Sequence, residues 1–200
     1  MSQANRTPQF SFEEFLLQEE QAPHKSEYFH GEVFAISGGT PQHSLIAMNI
    51  GGELRSAIKG TDCLVYNSDL LIRLEEADAG FYPDVSVVCG SPETTSEKQL
   101  ALTNPTVIVE VLSDSTASWD RGGKFRQYQS IPSLQEYILV EQNEPHIDVY
   151  RRMENGFWFL QGYSGIDQKV ELASLGIHLL SREIYLNVAF SEAPGPPTSR

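Results

Sequence analysis

The stretch TVIVEVL, residues 106–112, decides the fold because its composition is typical of a β-strand buried on both faces. Five apolar residues surround Glu110 in this stretch. A buried glutamate is costly unless it is paired with a cation or coordinates one. Glu110 is therefore the first candidate functional residue. The alternative is a structural ion pair with Lys124 or with an arginine.

A second carboxylate, Asp84, stands at the start of another apolar run in FYPDVSVVCG, residues 81–90. If the two strands are neighbours, Asp84 and Glu110 meet at one edge of the sheet. Two carboxylates held close together repel each other, and a divalent cation removes that repulsion. Oxygen ligands favour Mg²⁺ or Mn²⁺. The alternative is structural, because Pro-Asp also opens strands and turns without any chemical role.

Two further residues complete the candidate catalytic site. Such a metal ion polarises a phosphodiester and lowers the pKa of a bound water, and an ammonium group nearby orients that water or neutralises charge on phosphorus. Lys124, on a helix predicted for Asp120–Ser130, supplies the ammonium. Glu27, which opens the strand after Ser26, is a third carboxylate. As alternatives, Lys124 is a solvated helix residue and Glu27 pairs across a hairpin.

The remaining pattern predicts a mixture of helices and strands. Ser11 and Glu14 form a capping box, and SEYFHGEVFAIS, residues 26–37, predicts two strands that turn at His30-Gly31. Thr40 and Pro41 begin a long helix, which ends before Gly60. Further strands are predicted at residues 63–66, 69–74, 84–89 and 106–112 and in EYILVE, HIDVYRR, GFWFLQGY and QKVEL. The fold class is α/β or α+β.

Bulk composition limits the possible partners. The chain has 14 Lys plus Arg against 27 Asp plus Glu, a net charge of −13, so its surface repels nucleic acid unless a local cleft reverses the sign. Arg121, Lys124 and Arg126 form the predicted cationic cluster. Without an apolar signal region or an 18-residue apolar stretch, we expect a cytoplasmic protein with no membrane contact. Cys63 and Cys89 lie in apolar runs and are predicted to be small core residues.

Several other residues are interpreted as structural. His43 is interpreted as a packing or helix-start residue rather than a base, and Asp114 and Asp120 as helix caps. Asp69 binds a turn backbone or lies near the site. The chain is divided into a flexible N-terminus (1–10), a single domain (11–190) and a disordered tail (191–200).

Taken together, these motifs resemble the PD-(D/E)XK nuclease superfamily and, within it, the Uma-two endonuclease family. The resemblance runs from about Phe12 to Arg152. It rests on PD at 83–84, VEV at 109–111, LSDST at 112–116 and K-x-x-x-Y at 124–128, together with the SFEEFL opening, the hairpin, the GGTPQHS helix start and NSDLLIRL.

The resemblance implies a restriction-endonuclease-like α/β core, in which helices flank a central mixed β-sheet, with an added N-terminal helix and hairpin. It also implies Asp84 and Glu110 as ligands of Mg²⁺ or Mn²⁺, Glu27 as a helper carboxylate, and metal-dependent cleavage of DNA. The superfamily's lysine usually lies two residues after the acidic residue, where this chain has Leu112. The resemblance therefore moves that role to Lys124. Because the resemblance includes the GGTPQHS helix start, it also leaves a role near the site open for His43.

Three functions remain open from the sequence. The first is a metal-dependent DNA endonuclease that binds DNA weakly and, by analogy with restriction-like enzymes, forms a homodimer. The second is a non-catalytic binding or scaffold protein on the same fold, which the net charge and Leu112 favour. The third is a phosphoesterase that acts on a small nucleotide.

Overall fold

The strands of the computed structural model form three sheets within residues 10–36, 38–95 and 101–190, the residues that it describes. The first sheet, in the order β2-β1-β5-β4-β7, consists of β1 (Ser26–Phe29), β2 (Glu32–Ala35), β4 (Leu71–Leu74), β5 (Ala79–Phe81) and β7 (Ala101–Leu102). The second, in the order β11-β10-β9-β8-β6-β3, consists of β3 (Cys63–Asn67), β6 (Val85–Cys89), β8 (Val107–Leu112), β9 (Glu136–Glu141), β10 (His146–Arg152) and β11 (Trp158–Ser164). The third pairs β12 (Lys169–Leu172) with β13 (Ile177–Leu180).

The helices are distributed along the whole described chain. They are α1 (Phe12–Glu19), α2 (Pro41–Ala57), α3 (Ala117–Trp119), a π-helical turn (Asp120–Lys124), α4 (Phe125–Tyr128) and α5 (Ser181–Ile184). The segments from Ala117 to Tyr128 follow one another without a break and are called the site helix below. None of the helices in the described residues has the length and apolarity that a membrane crossing requires.

The six-stranded sheet is mixed, and its register brings the two candidate strands together. β8 is parallel to β9 and antiparallel to β6, with Val85 opposite Val109. Asp84 precedes Val85 and Glu110 follows Val109, so the two carboxylates stand one step beyond this pair. The strands that carry Asp84 and Glu110 are therefore direct neighbours in the sheet.

Alternation along β8 decides which face of the sheet Glu110 occupies. Val107, Val109 and Val111 pack into the core on the side of α2, whereas Ile108 and Leu112 pack with Phe125 and Tyr128 of the site helix. Because successive side chains of a strand point to opposite faces, Glu110 shares the face of Ile108 and Leu112. Glu110 therefore lies under the site helix.

The predicted starts of α1 and α2 and the predicted hairpin are confirmed. Ser11 and Glu14 form both hydrogen bonds of a capping box, and Thr40 accepts a hydrogen bond from the His43 backbone with Pro41 in the first turn. The hairpin turns at His30 and Gly31, whose φ angles of 49° and 81° lie in the left-handed region that such a tight turn requires.

The prediction for the two cysteines is wrong. Cys63 and Cys89 stand directly opposite each other in the antiparallel pair of β3 and β6, with Cα atoms 3.9 Å apart, and they form a disulfide. Their runs are apolar, as predicted, but the composition of each run carries no information on register. Only the pairing of the two strands places one sulfur beside the other.

The site helix also differs from its prediction. It begins at Ala117 rather than Asp120, and its middle is a π-helical turn rather than α-helix. The strands β5, β7 and β13 and the helix α5 were not predicted from the sequence. The predictions for residues 1–9 and 191–200 lie outside the described residues, and the single domain at 11–190 stays a prediction.

Candidate functional site

Lys124 is the centre of a buried cluster of charges. Its Nζ lies 2.9 Å from Oε1 of Glu110, 3.0 Å from Oε1 of Glu27 and 3.9 Å from Oδ1 of Asp120. The lysine side chain is 7% exposed. The π-helical turn ends at Lys124, and turns of this kind are frequent at functional sites because they change the direction of side chains within a helix. One ammonium group thus faces three carboxylates.

Glu110 receives two hydrogen-bond donors on the same oxygen. Besides Lys124, the hydroxyl of Tyr128 donates to Oε1 of Glu110 across 3.2 Å. Tyr128 lies one turn after Lys124 on the site helix, so both donors approach from the same side of the sheet. The site helix therefore supplies the partners that a glutamate inside an apolar strand requires.

Glu27 joins the first sheet to the site helix. Its Oε1 accepts the backbone N–H of Tyr82 at 3.2 Å and lies 3.0 Å from Nζ of Lys124. Because β1 belongs to the five-stranded sheet and Glu110 to the six-stranded sheet, Lys124 connects the two sheets through their carboxylates. The centroid of the Phe81 ring lies 5.5 Å from Nζ, and Phe81 is itself buried.

Asp84 is held by its own pair of donors. Oδ2 accepts the backbone N–H of Val111 at 2.7 Å and lies 3.2 Å from Nε2 of His43. Val111 directly follows Glu110 in β8, so this hydrogen bond ties Asp84 to the strand that carries the other candidate ligand. The hydrogen bond with Asp84 is the main reason why the pKa of His43 is raised above its usual value.

Burial and mutual repulsion set the ionisation of the cluster. Loss of contact with water raises the pKa of Glu110 well above its usual value, the ammonium of Lys124 opposes that rise, and Asp120 and Asp84 add to it. For Lys124, burial lowers the pKa, but attraction to Glu110, Glu27 and Asp120 outweighs burial, so the pKa is raised. Lys124 therefore stays protonated, whereas Glu110 and Asp120 hold a proton more readily than exposed carboxylates do.

The donor set fits a divalent cation in chemical kind. Carboxylate oxygens are the ligands that Mg²⁺ and Mn²⁺ prefer. Among the described residues, no hydrogen bond or ion pair engages Oδ1 of Asp84 or Oε2 of Glu110. Within the same residues, however, no three His, Cys, Asp or Glu side chains stand together as a metal-binding group. Asp84 and Glu110 thus offer two oxygen donors. The carboxylate of Glu27 is paired with Lys124 instead.

Two residues of the cluster were missed from the sequence. Asp120, predicted to be a cap, is buried beside Lys124 because the helix begins three residues before it. Its spacing of four from Lys124 is the signal that could have found it, since residues four apart share a helix face. His43, predicted to be a packing or helix-start residue, contacts Asp84. No local signal in the sequence identifies that partner.

The prediction that Arg121, Lys124 and Arg126 form a cationic cluster is wrong. Arg121 binds Glu141 and Asp148, with a distance of 2.8 Å to Asp148, and Lys124 is buried among carboxylates. Of the predicted three, only Arg126 is exposed. Asp69 lies on the surface in a pair with Lys25, with its side chain 73% exposed, and takes no part in the cluster.

Comparison with known proteins agrees with this architecture. A family model described as "Uma2: Putative restriction endonuclease" matches residues 12–187. Two proteins of Synechocystis sp. (strain ATCC 27184 / PCC 6803 / Kazusa), called "Uncharacterized protein slr1290" and "Uncharacterized protein sll1609", are similar to the chain. The first is 39% identical over 92% of this chain and 95% of its own length. The second is 35% identical over 82% of this chain and 93% of its own length.

A solved structure shares the fold. It is a crystal structure described as "a putative nuclease belonging to DUF820" from Anabaena variabilis ATCC 29413, with a TM-score of 0.69 and 20% sequence identity. The match covers 88% of this chain and 97% of that one. The fold is α/β with a restriction-endonuclease-like core, a central mixed sheet flanked by helices and an added N-terminal helix and hairpin. On the match over residues 12–187 and on these identities, the chain belongs to the Uma2 family.

Proposed function

We propose that the protein is a DNA endonuclease that hydrolyses phosphodiester bonds with Mg²⁺ or Mn²⁺. The observation that carries this proposal is the buried contact of Lys124 with Glu110 and Glu27, next to Asp84 on the neighbouring strand. Buried charges are expensive, and a cluster of them with perturbed pKa values at one edge of a sheet is more typical of a reaction site than of a core. The family description points to the same chemistry.

In this proposal, Asp84 and Glu110 hold the metal ion through carboxylate oxygens. When bound, the ion would polarise the phosphodiester and lower the pKa of a bound water. Glu27 and Glu110 hold the ammonium group of Lys124, which keeps its proton and donates hydrogen bonds to the attacking water or to a phosphate oxygen. Tyr128 donates a second hydrogen bond to the same oxygen of Glu110.

The charge of the protein predicts how the substrate binds. The net charge is −13, and Arg121 and Lys124 are both paired with carboxylates. Both features disfavour DNA binding unless a metal cation is present. We therefore expect weak binding, because few phosphates are neutralised by side chains. The affinity that those few contacts supply falls as salt increases.

The experiment is cleavage of plasmid and oligonucleotide DNA with Mn²⁺ or Mg²⁺. The wild-type protein is compared with Asp84→Asn and Glu110→Gln, and Asp69→Asn serves as the control for loss of an exposed carboxylate. We expect cleavage by the wild type and by the control, and none by the two site variants. Equal cleavage by all four proteins would place the activity elsewhere or in a contaminant.

A second candidate is a non-catalytic binding or scaffold protein. It is favoured by the position of Lys124, which already neutralises part of the cluster, and by the lack of a three-residue metal group among the described residues. Absence of cleavage by a folded wild-type protein with either metal supports this candidate. Cleavage of mononucleotide esters but not of duplex DNA instead supports a small-nucleotide phosphoesterase.

We also infer a homodimer and place its interface at β11. This strand forms an edge of the six-stranded sheet, and Phe159 and Leu160 are 51% and 48% exposed. Residues 157–164 carry no charge in a chain that is otherwise strongly acidic, so two copies repel least here, and identical antiparallel edges satisfy each other's backbone groups. Light scattering should show a dimer that Phe159→Lys separates. Leu64→Lys on the opposite edge strand, β3, is the control and should leave it intact.

A further inference from the structure

His43 occupies a fixed place at the start of α2. Its backbone N–H donates to Oγ1 of Thr40 across 3.1 Å, and Thr40 in turn contacts Gln142 at 3.2 Å. The imidazole packs over Gly39, where a Cβ atom would lie only 2.8 Å from Nδ1 of the ring. Gly39 therefore leaves room for the imidazole ring, and the hydrogen bond to Thr40 fixes the backbone of His43.

The ring of His43 reaches across to the residue that precedes β6. Nε2 lies 3.2 Å from Oδ2 of Asp84, and both side chains are 17% exposed. The same Oδ2 accepts the backbone N–H of Val111 at 2.7 Å. Two donors on one oxygen fix the plane of the carboxylate and leave Oδ1 without a partner among the described residues.

A role as a general base fits these contacts poorly. Nε2 is engaged by Oδ2 of Asp84, so this nitrogen is not free to accept a proton from a substrate. Carboxylates that bind metals are usually held by hydrogen bonds from surrounding groups, and loss of such a group weakens metal binding or activity about 10–100-fold.

We propose that His43 is a positioning residue for Asp84, which it holds through Oδ2 so that Oδ1 is presented to a divalent cation. The proposal rests on the proposed function for the identity of that cation, and it assigns His43 no contact with the DNA. Val111 fixes Asp84 to β8 and His43 fixes it to α2, so the ligand is anchored to two elements that meet only in the folded protein.

The test measures Mn²⁺ binding by calorimetry, independently of any cleavage. Four variants are compared with the wild type: His43→Ala, His43→Gln, Asp84→Asn and His178→Ala. His178 is an exposed histidine of β13 and serves as the matched control. We expect about 10–100-fold weaker Mn²⁺ binding in His43→Ala. His43→Gln, whose amide nitrogen replaces Nε2, should regain most of the affinity, and the control should equal the wild type.

The same proteins are then assayed for DNA cleavage to separate the two proposals. A positioning role predicts that His43→Ala lowers kcat and raises the Mn²⁺ concentration required, with little change in KM for DNA. If the wild type binds Mn²⁺ and His43→Ala binds it equally well, or if both His43 variants are weakened equally, the positioning role is overturned.

If no protein cleaves DNA but the Mn²⁺ affinities follow the expected order, the nuclease proposal fails and the positioning role stands. A wild-type protein that binds no Mn²⁺ overturns both. Denaturation curves are recorded for every variant, and His43→Gln provides the comparison if His43→Ala does not fold.

Discussion

Nζ of Lys124 lies 2.9 Å from Oε1 of Glu110, and both side chains are buried although they belong to different elements of the fold. The position two residues after Glu110 is Leu112, whose side chain packs in the core under the site helix. The lysine beside Glu110 therefore comes from the site helix and not from β8. The contact makes the stability of this region depend on charge pairing.

Replacement of Lys124 by methionine should destabilise the protein strongly. Three carboxylates would remain near one another without their ammonium partner, and breaking a buried ion pair from one side costs about 3–5 kcal/mol in the free energy of unfolding. Urea denaturation in metal-free buffer measures the effect. Addition of Glu110→Gln to the Lys124→Met variant should restore part of the loss.

The control for this prediction is Lys25→Met. Lys25 pairs with Asp69 on the surface, with side chains 42% and 73% exposed, so its loss should cost at most about 1 kcal/mol. Equal losses at Lys25 and Lys124 would show that burial of the charge cluster has no energetic consequence.

Gly123 should not tolerate alanine, whereas its neighbour Gly122 should. A Cβ atom at Gly123 would overlap the indole ring of Trp119, but nothing lies within 4 Å of a Cβ at Gly122. Forcing the indole away from its contacts with Phe29 and Phe81 should cost about 1–3 kcal/mol. Gly122→Ala should stabilise the site helix by up to about 1 kcal/mol. Thermal denaturation of the two variants compares them, and a gain in stability for Gly123→Ala would refute the overlap.

Glu136 should be required for stability rather than for catalysis. Its buried carboxylate accepts hydrogen bonds from Arg151 at 2.9 Å, from the backbone of Ala173 at 3.0 Å and from the hydroxyl of Ser174 at 2.6 Å. Glu136→Gln removes the charge and places an amide N–H group against groups that are themselves donors. We therefore expect the free energy of unfolding, measured by urea denaturation, to fall by about 3 kcal/mol.

Glu171 supplies the matched control for Glu136. It lies 3.6 Å from the same Arg151, but its side chain is 52% exposed, so Glu171→Gln should cost less than about 1 kcal/mol. Mn²⁺ binding should be unchanged in both variants. A loss of binding in Glu136→Gln without unfolding would contradict a purely structural role.

Tyr137 should make the protein less stable as the pH rises above 10. Burial, with a smaller contribution from Glu110 and Asp120, raises its pKa well above the usual value near 10. Above pH 10 the unfolded chain loses this proton while the folded protein keeps it, so stability falls by about 1.4 kcal/mol per pH unit for one such group.

Tyr137→Phe removes this ionising hydroxyl, so stability should fall less steeply between pH 10 and pH 11. The hydroxyl also donates to the backbone carbonyl of Asp120 at 3.0 Å, so the variant loses a constant amount at lower pH. Urea denaturation at several pH values separates this constant loss from the slope. An unchanged slope would mean that Tyr137 ionises normally in the folded protein.

Local patterns in the sequence determined much of the architecture. The continuous apolar run around Glu110 predicts the buried strand, and Thr40-Pro41 and His30-Gly31 predict a helix start and a tight turn, all of which the structure contains. These predictions succeed because caps, turns and strand composition depend on residues a few positions apart. The four residues proposed for the site were also chosen from sequence, although their roles stay predictions.

Tertiary structure alone decided which of these residues meet. The register of β3 on β6 joins Cys63 to Cys89, the early start of the site helix turns Asp120 towards Lys124, and the packing of α2 brings His43 to Asp84. Each contact joins elements whose relative placement depends on the whole core rather than on nearby residues. Strand register and helix packing are fixed by the burial of many side chains at once, and a single stretch of sequence does not contain that information.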